Sequence, residues 1–253
     1  PGQVVAGIIL PCEILEASAE ASISGLVRWS NHSQETIETE FAFQVQGQPT
    51  GVDWNARAAL DPYSLEPVTS DRDLVGRTEI LNQMIAKLGA QAVSSFFVFG
   101  QKRVGKTSLV RALESRLRRE ASGDLLVIYL DGGDYVHPDA VKTIQRLGTR
   151  ICEEIKQSAS RFASLSIPVF DGALSPIDGF LREVLQIQPG FRLVIILDEF
   201  DELPVEIYRR GPVGDAFFLT VRSVSAKPPF GFVLVGGEKM EFILSTQGDA
   251  LNK

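Results

Sequence analysis

From residue 71 onward, short apolar runs alternate with longer segments whose apolar residues recur every three or four positions. The runs SFFVF (95–99), LLVIYL (125–130), RLVIIL (192–197) and GFVLVG (231–236) predict buried strands. One predicted helix carries Leu81, Met84, Ile85 and Leu88 and stops at Gly89, the next carries Leu109, Val110, Leu113 and Leu117, and others lie near 139–160, 175–186 and 213–225. Apolar strands alternating with amphipathic helices predict an α/β fold, a parallel sheet with helices on both faces.

The first sixty residues follow a different pattern. Segments 21–29 (ASISGLVRW) and 39–47 (TEFAFQVQG) alternate apolar and polar residues, which predicts a small β-rich, sandwich-like module over residues 1–58. Residues 59–73 contain two prolines and several turn formers, and we expect a linker there. The β-rich module has no combination of residues suited to catalysis, so we interpret it as an interaction or packing domain.

Charge separates the same two parts. The 253 residues carry a net charge of −7, and residues 1–70, with nine acidic and two basic side chains, account for all of it. This acidic segment is poorly suited to bind nucleic acid through phosphate contacts. We expect a cytoplasmic protein without a membrane partner, since there are two cysteines and no apolar stretch long enough to span a bilayer.

The segment GQKRVGKTS (100–108) directly follows the first predicted strand of the α/β part. Gly100, Gly105, Lys106 and Thr107 have the spacing of a phosphate-binding loop, in which backbone N–H groups and the following helix N-terminus hold phosphate oxygens. We expect this loop, including Arg103 and Val104, to bind ATP or ADP, with the Arg103 side chain in solvent.

Three side chains follow the second glycine of this loop, and each has a predicted role. Lys106 is expected to bridge the β- and γ-phosphates as a catalytic cation, and Thr107 to ligate Mg²⁺. Ser108 is expected to contact the α-phosphate. The nucleotide is therefore predicted to bind together with magnesium.

A second acidic element indicates that hydrolysis follows binding. The stretch RLVIILDEFDELP (192–204) is a buried strand that ends in acids. Asp198 is the predicted Mg²⁺ ligand, and Glu199 is the predicted base that polarises the attacking water. We expect Asp201 and Glu202 to form a solvated face or the acidic start of a helix.

Three segments in order, LVGRTEIL (74–81), GQKRVGKTS (100–108) and LVIILDEFDE (193–202), resemble AAA+ ATPases and their relatives, the STAND signal-transduction NTPases and archaeal-type ATPases. The resemblance covers about 70–253 and implies a P-loop ATPase core over 74–253. It also implies that the backbone of Leu74, Val75 and Gly76 lies beside the adenine. The long spacer between the loop and the acidic strand is more similar to the STAND and archaeal-type members.

The chain departs from this family where its fourth strand ends. Gly236 and Gly237 stand where the family has a polar or basic sensor of the γ-phosphate, and Lys239 is the candidate substitute, with a surface lysine as the alternative. The basic end of the helix after the loop, residues 116–119, is interpreted as a charge–dipole arrangement, with a nucleic-acid contact as the less favoured reading. The candidate arginine fingers are Arg209, Arg210 and Arg222.

These features favour a nucleotide-controlled signalling or assembly switch with a protein partner or self-assembly. The chain begins at Pro1 and stops before the region where the family has its lid, so we expect a core fragment of a longer protein. Two alternatives stay open. One is a DNA-acting ATPase of the initiator or transposition-loader type, and the other is a scaffold that binds nucleotide without hydrolysing it.

Overall fold

The computed structural model describes residues 20–30, 36–46, 67–120 and 123–247. The chain divides into two compact units, Pro1–Ser64 and Leu65–Lys253. The predictions for residues 1–19 and 47–66, which include most of the expected linker, lie outside the described residues.

The first unit contains two long antiparallel strands, β1 (Glu20–Ser30) and β2 (Thr36–Gln46). Their register pairs Ile23 with Phe43 and Trp29 with Ile37, so apolar side chains line up on one face of the ribbon. The predicted β-rich character is confirmed by this two-stranded sheet, and the sandwich-like form and the bounds of the module stay predictions.

The second unit is built on a four-stranded parallel sheet, as the alternating pattern predicted. Its strands are β3 (Phe96–Phe99), β4 (Leu125–Asp131), β5 (Arg192–Asp198) and β6 (Phe230–Gly236), in the order β3-β6-β5-β4. Because all neighbours are parallel, their carboxyl ends meet at one edge of the sheet, where Phe99 pairs with Gly236 and Asp131 with Asp198.

The described residues of the second unit also contain seven α-helices. They are α1 (Thr78–Gly89), α2 (Lys106–Glu120), α3 (Ala140–Ser158), α4 (Ile177–Ile187), α5 (Val205–Tyr208), α6 (Pro212–Ser225) and α7 (Lys239–Gln247). The periodic pattern missed α5, which is a single turn, and α7, where the apolar Phe242 lies on the exposed side and Gln247 on the buried side. None of the described helices is long and apolar enough to cross a membrane.

The two faces of the sheet bury separate cores. Helices α1 and α2 pack on one face through residues such as Leu81, Val110 and Leu113, and α3, α4 and α6 pack on the other. Along β5 the side chains alternate, so Val194 and Ile196 enter the α1/α2 core while the odd-numbered neighbours enter the opposite one. The same alternation places the next even-numbered residue, Asp198, on the face covered by α2.

Candidate nucleotide-binding site

Residues 100–105 form the loop between the end of β3 and the start of α2. Gly105 has φ +79° and Arg103 has φ 63°, so the loop turns twice through left-handed backbone. An L side chain at Gly105 would be strained there, which gives a conformational reason for this glycine. At Gly100 an added Cβ would make only an ordinary contact, 3.6 Å from Val104 Cγ2. The chain's own conformation therefore requires the second glycine of the motif more than the first.

Lys106 begins α2, and its side chain folds back over the loop. Its Nζ donates to the carbonyl oxygens of Gly100 at 3.0 Å and Gln101 at 2.8 Å. The ammonium group therefore lies at the loop, next to the positive end of a 15-residue helix. Thr107, half-buried, follows in the first turn. A cation, a hydroxyl and free helix N–H groups at one place are the chemistry that fits a phosphate with its Mg²⁺.

Arg77 directly precedes α1, and its side chain binds the loop of residues 100–105. Its guanidinium donates to the carbonyls of Val104 and Gly105, the latter at 3.4 Å. In a trans peptide the carbonyl and the following N–H point in opposite directions, so these contacts aim the N–H groups of Gly105 and Lys106 away from Arg77. Sequence reasoning did not single out Arg77, although it completes the Val-Gly-Arg signal before α1.

The three residues expected beside the adenine precede Arg77. Val75 is 90% exposed, and Leu74 is half-buried against the α1/α2 core. Gly76 has φ +84°, a left-handed conformation that suits glycine. Leu74 is thus held by the core, whereas Val75 is exposed to solvent. The contact of these residues with the adenine stays a prediction.

Ser108 makes a contact that the sequence did not suggest. Its hydroxyl accepts the backbone N–H of Val68 at 3.1 Å. Nearby, Arg119 grips the Asp71 carboxylate with two hydrogen bonds of 2.7 Å, which lower the Asp71 pKa. Residues 67–73, the described end of the expected linker, are therefore tied to α2. The predicted α-phosphate contact of Ser108 stays a prediction.

The basic end of α2 is paired within the chain. Arg116 donates to Asn82 and Glu120, each at 2.8 Å, and Arg118 lies 2.8 Å from Glu114. These side chains are therefore bound within the chain, and the charge–dipole interpretation of this helix end stays a prediction.

Asp198 lies at the end of β5 with 2% of its surface exposed. Its Oδ1 accepts the Glu199 N–H at 2.9 Å, and its Oδ2 accepts the Tyr129 hydroxyl at 2.8 Å. Burial and the Asp198 charge raise the pKa of Tyr129, so the phenol keeps its proton and acts as a donor. The guanidinium carbon of Arg111 lies 3.3 Å from the centre of the Tyr129 ring. Sequence reasoning did not single out Tyr129. Its signal was that a residue with a polar hydroxyl stands in an otherwise aliphatic strand.

Glu199 has left-handed backbone, with φ 50° and ψ 36°. Desolvation raises the pKa of its carboxyl, and the negative charges of Asp131, Asp198, Glu202 and Asp201 raise it further. A carboxyl whose pKa moves toward neutrality is better matched to accept a proton near pH 7. This environment is compatible with the predicted base.

Of the two expectations for Asp201, the solvated face is wrong, whereas the start of a helix agrees with the short 3-10 helix Phe200–Glu202. Asp201 is 4% exposed, and its Oδ1 accepts the Gly237 N–H at 2.8 Å. A Cβ added at Gly236 would lie 2.7 Å from that same oxygen and 2.5 Å from Met240 Cγ. The strand end carries glycines because the Asp201 carboxylate already occupies the space beside it. Glu202, by contrast, is exposed.

Lys239 is the first residue of α7, which follows β6. Its Nζ donates to the Asp201 carbonyl at 2.9 Å and lies 3.7 Å from Glu202. Lys102 of the loop lies 3.6 Å from the same Glu202 carboxylate. One carboxylate thus connects the loop with the end of β6. Among the candidate fingers, Arg209, Arg210 and Arg222 are exposed, and Arg210 lies 3.5 Å from Asp215.

A glycine loop between a strand and a helix, in a parallel sheet that has a buried acid at the end of another strand, is typical of a P-loop nucleotide-binding protein. A family model described as an AAA domain matches residues 75–244. The chain therefore belongs to this family of AAA+ P-loop ATPases.

Matches to solved structures were also found, and three of them, each at low sequence identity, are as follows. Cdc6p from Pyrobaculum aerophilum is 17% identical, with a TM-score of 0.44 over 70% of this chain and 42% of that one. The ORC2 protein of Aeropyrum pernix in ADPNP–ADP complexes is 16% identical, with a TM-score of 0.43 over 75% and 48%. Drosophila ORC bound to poly(dA/dT) DNA and Cdc6 is 13% identical, with a TM-score of 0.41 over 70% and 26%.

The chain spans less than half the length of each of these structures. No curated protein sequence matches it significantly.

Proposed function

We propose that the second unit binds ATP with Mg²⁺, hydrolyses it slowly, and acts as a nucleotide-controlled switch in signalling or assembly. The observation that carries this proposal is the alternation along β5, which places Asp198 on the face covered by α2, the helix that begins with Lys106 and Thr107. A phosphate-binding loop and an acidic strand end are the two halves of an ATP-hydrolysing site, and the fold brings them to one edge.

Each side chain has one role in this proposal. Lys106 binds the β- and γ-phosphate oxygens, Thr107 and Asp198 supply hard oxygen ligands for magnesium, and Glu199 accepts a proton from the attacking water. Bound Mg²⁺ supplies charge neutralisation of the phosphate oxygens. The environment of Glu199, partly desolvated and surrounded by acids, supports its assignment as the base.

The charge network around Glu202 supports the switch. Lys102 and Lys239 share this carboxylate, and Glu202 lies just before α5, which begins at Val205. A phosphate group that attracts Lys102 or Lys239 weakens the ion pair of that lysine with Glu202. The segment that leads into α5 then loses one of the contacts that hold it. We infer that this segment reports the nucleotide state to a protein partner or a second copy, with Arg210 or Arg222 as the finger in such an assembly.

The first experiment tests the nucleotide and the switch together. The protein is purified without added nucleotide and denatured, and released nucleotide is identified by chromatography. Near-stoichiometric ADP is expected for a switch that holds its product. An empty site with ATP turnover stimulated by DNA contradicts the switch and supports the DNA-acting alternative.

A substitution at Glu199 tests hydrolysis separately from binding. Glu199→Gln is expected to bind ATP like the unchanged protein and to hydrolyse it about 10² times more slowly in single-turnover assays, the loss expected for a general base. The control is Glu206→Gln, the same change at an exposed residue of α5.

Each result of this assay has a defined meaning. Equal rates for the Glu199→Gln variant and the unchanged protein exclude Glu199 as the base. If the unchanged protein binds ATP but never hydrolyses it, the scaffold alternative is correct.

A further inference from the structure

The Tyr129 hydroxyl reaches across the sheet to the predicted magnesium ligand. We propose that Tyr129 is a positioning residue for Mg²⁺, because its hydrogen bond fixes the Asp198 carboxylate in the orientation that binds the ion. This inference rests on the proposed function and adds a specific residue to it.

The two hydrogen bonds to Asp198 come from different directions. The Glu199 N–H at Oδ1 belongs to the adjacent residue and moves with it, whereas the Tyr129 hydroxyl at Oδ2 comes from β4, 69 residues earlier. Rotation of a carboxylate about its last torsion is only weakly restricted by intrinsic preferences. One donor on each oxygen therefore defines that torsion, and the donor from Tyr129 is the one that comes from a different strand.

The register explains why a tyrosine can make this contact. Tyr129 pairs with Ile196 and Asp131 pairs with Asp198, so Tyr129 is the diagonal neighbour of Asp198 on the same face. Diagonal neighbours lie about 7–8 Å apart, within reach of an aromatic side chain. The hydroxyl of tyrosine at this position meets the strand-end carboxylate, which phenylalanine could not do.

A residue of helix α2 packs on the Tyr129 ring. The Arg111 guanidinium stacks on the Tyr129 ring at 3.3 Å, and its other side pairs with Glu114 at 3.2 Å. Arg111 follows Thr107 by four residues, so both lie on one face of α2. The helix that presents the other predicted magnesium ligand therefore also restricts the residue that orients Asp198.

The test measures how strongly Mg²⁺ tightens nucleotide binding. The affinity for the fluorescent analogue mant-ATP is titrated in EDTA and at increasing Mg²⁺ for the unchanged protein and Tyr129→Phe. Binding in EDTA is expected to stay within about twofold, while the Mg²⁺ concentration for half-maximal tightening rises about tenfold or more, as for other residues that orient a metal ligand.

Two further variants make the result specific. Tyr208→Phe removes a buried hydroxyl in the core on the opposite face of the sheet and is expected to leave the Mg²⁺ requirement unchanged. Arg111→Met removes the stacking cation and is expected to raise the Mg²⁺ requirement less than Tyr129→Phe does. If Tyr129→Phe lost its native circular dichroism, the Arg111→Met variant would test the inference in its place: a raised Mg²⁺ requirement supports the positioning by the Tyr129 ring, and an unchanged requirement overturns it.

Failure of the inference is distinguishable from failure of the proposed function. An unchanged Mg²⁺ requirement in Tyr129→Phe, beside a normal response of the unchanged protein, overturns the positioning role alone. A lower requirement also overturns it, because the hydroxyl would then compete with the ion. If Mg²⁺ does not affect nucleotide binding in the unchanged protein, both the proposed function and this inference are wrong.

Discussion

At the scale of single residues, Glu199 combines a proposed chemical role with an unusual backbone. Its φ of 50° and ψ of 36° lie in the left-handed region, which residues other than glycine seldom occupy. Such a conformation costs about 1–2 kcal/mol and tends to occur where function requires it. The turn directs the chain away from β5 immediately after the strand-end acid, so the carboxyl that follows stays at the same edge of the sheet.

This strain leads to a prediction about stability. Both Glu199→Ala and Glu199→Gly remove the carboxylate, and they differ in backbone freedom alone. At an ordinary position glycine is less stable than alanine by about 0.5–1 kcal/mol, but here we expect the glycine variant to be more stable by about 1 kcal/mol. Denaturant unfolding of the two variants measures the difference. A glycine variant less stable than the alanine variant would show that Glu199 is not strained.

At the scale of elements, the ends of β5 and β6 fit against each other through Asp201. The carboxylate accepts the Gly237 N–H and fills the space beside Gly236, and the Asp201 carbonyl accepts a hydrogen bond from Lys239. Gly236 and Gly237 therefore stand where the Asp201 carboxylate needs space and a backbone donor, and the role of Lys239 as a substitute sensor stays a prediction.

Substitution of Gly236 tests this fit. Gly236→Ala places a methyl group within 3 Å of Asp201 and Met240 unless they move, and such overpacking is expected to cost about 1–3 kcal/mol of unfolding free energy. Gly190→Ala is the matched control, because an added Cβ there meets nothing within 4 Å. Thermal or denaturant unfolding compares the two. Equal stability of the variants would contradict the proposed packing role of Asp201.

At the scale of the whole molecule, the candidate nucleotide site depends on the core between the sheet and helices α1 and α2. Its residues come from the start of α1, the start of α2 and the end of β5, and they meet only when α1 and α2 are packed on the sheet. A ligand that binds this arrangement and not the unfolded chain must stabilise the second unit as a whole.

The corresponding prediction concerns thermal unfolding of this unit. At 100 times its dissociation constant, MgATP adds about 2.7 kcal/mol to the unfolding free energy, which corresponds to a Tm increase of about 5–10 °C for a domain of this size. We expect Lys106→Ala to lose most of this increase, and Lys87→Ala, an exposed lysine near the end of α1, to keep it. An undiminished increase in Lys106→Ala would remove the assignment of the phosphate-binding loop.

Particular residues show how far the sequence alone could go. The loop and α2 were predictable because Gly105, Lys106 and Thr107 act within one continuous segment whose conformation follows from local preferences. Asp201 was assigned to the surface because neighbouring acids usually are solvated. The sequence does not show that Asp201 lies beside the end of β6, where the Gly237 N–H donates to its carboxylate. The contact of Ser108 with Val68 was equally invisible, since it joins residues 40 positions apart.

The sequence by itself determined the parallel α/β class, the strands, the loop and the position of Asp198 at a strand end, because hydrophobic periodicity and glycine placement are local properties of the chain. The tertiary structure decided which side chains share a face: Tyr129 with Asp198, Arg77 with the loop, and Asp201 with Gly236 and Gly237. These contacts depend on strand order and register, which result from burying two cores at once and cannot be read from any single segment.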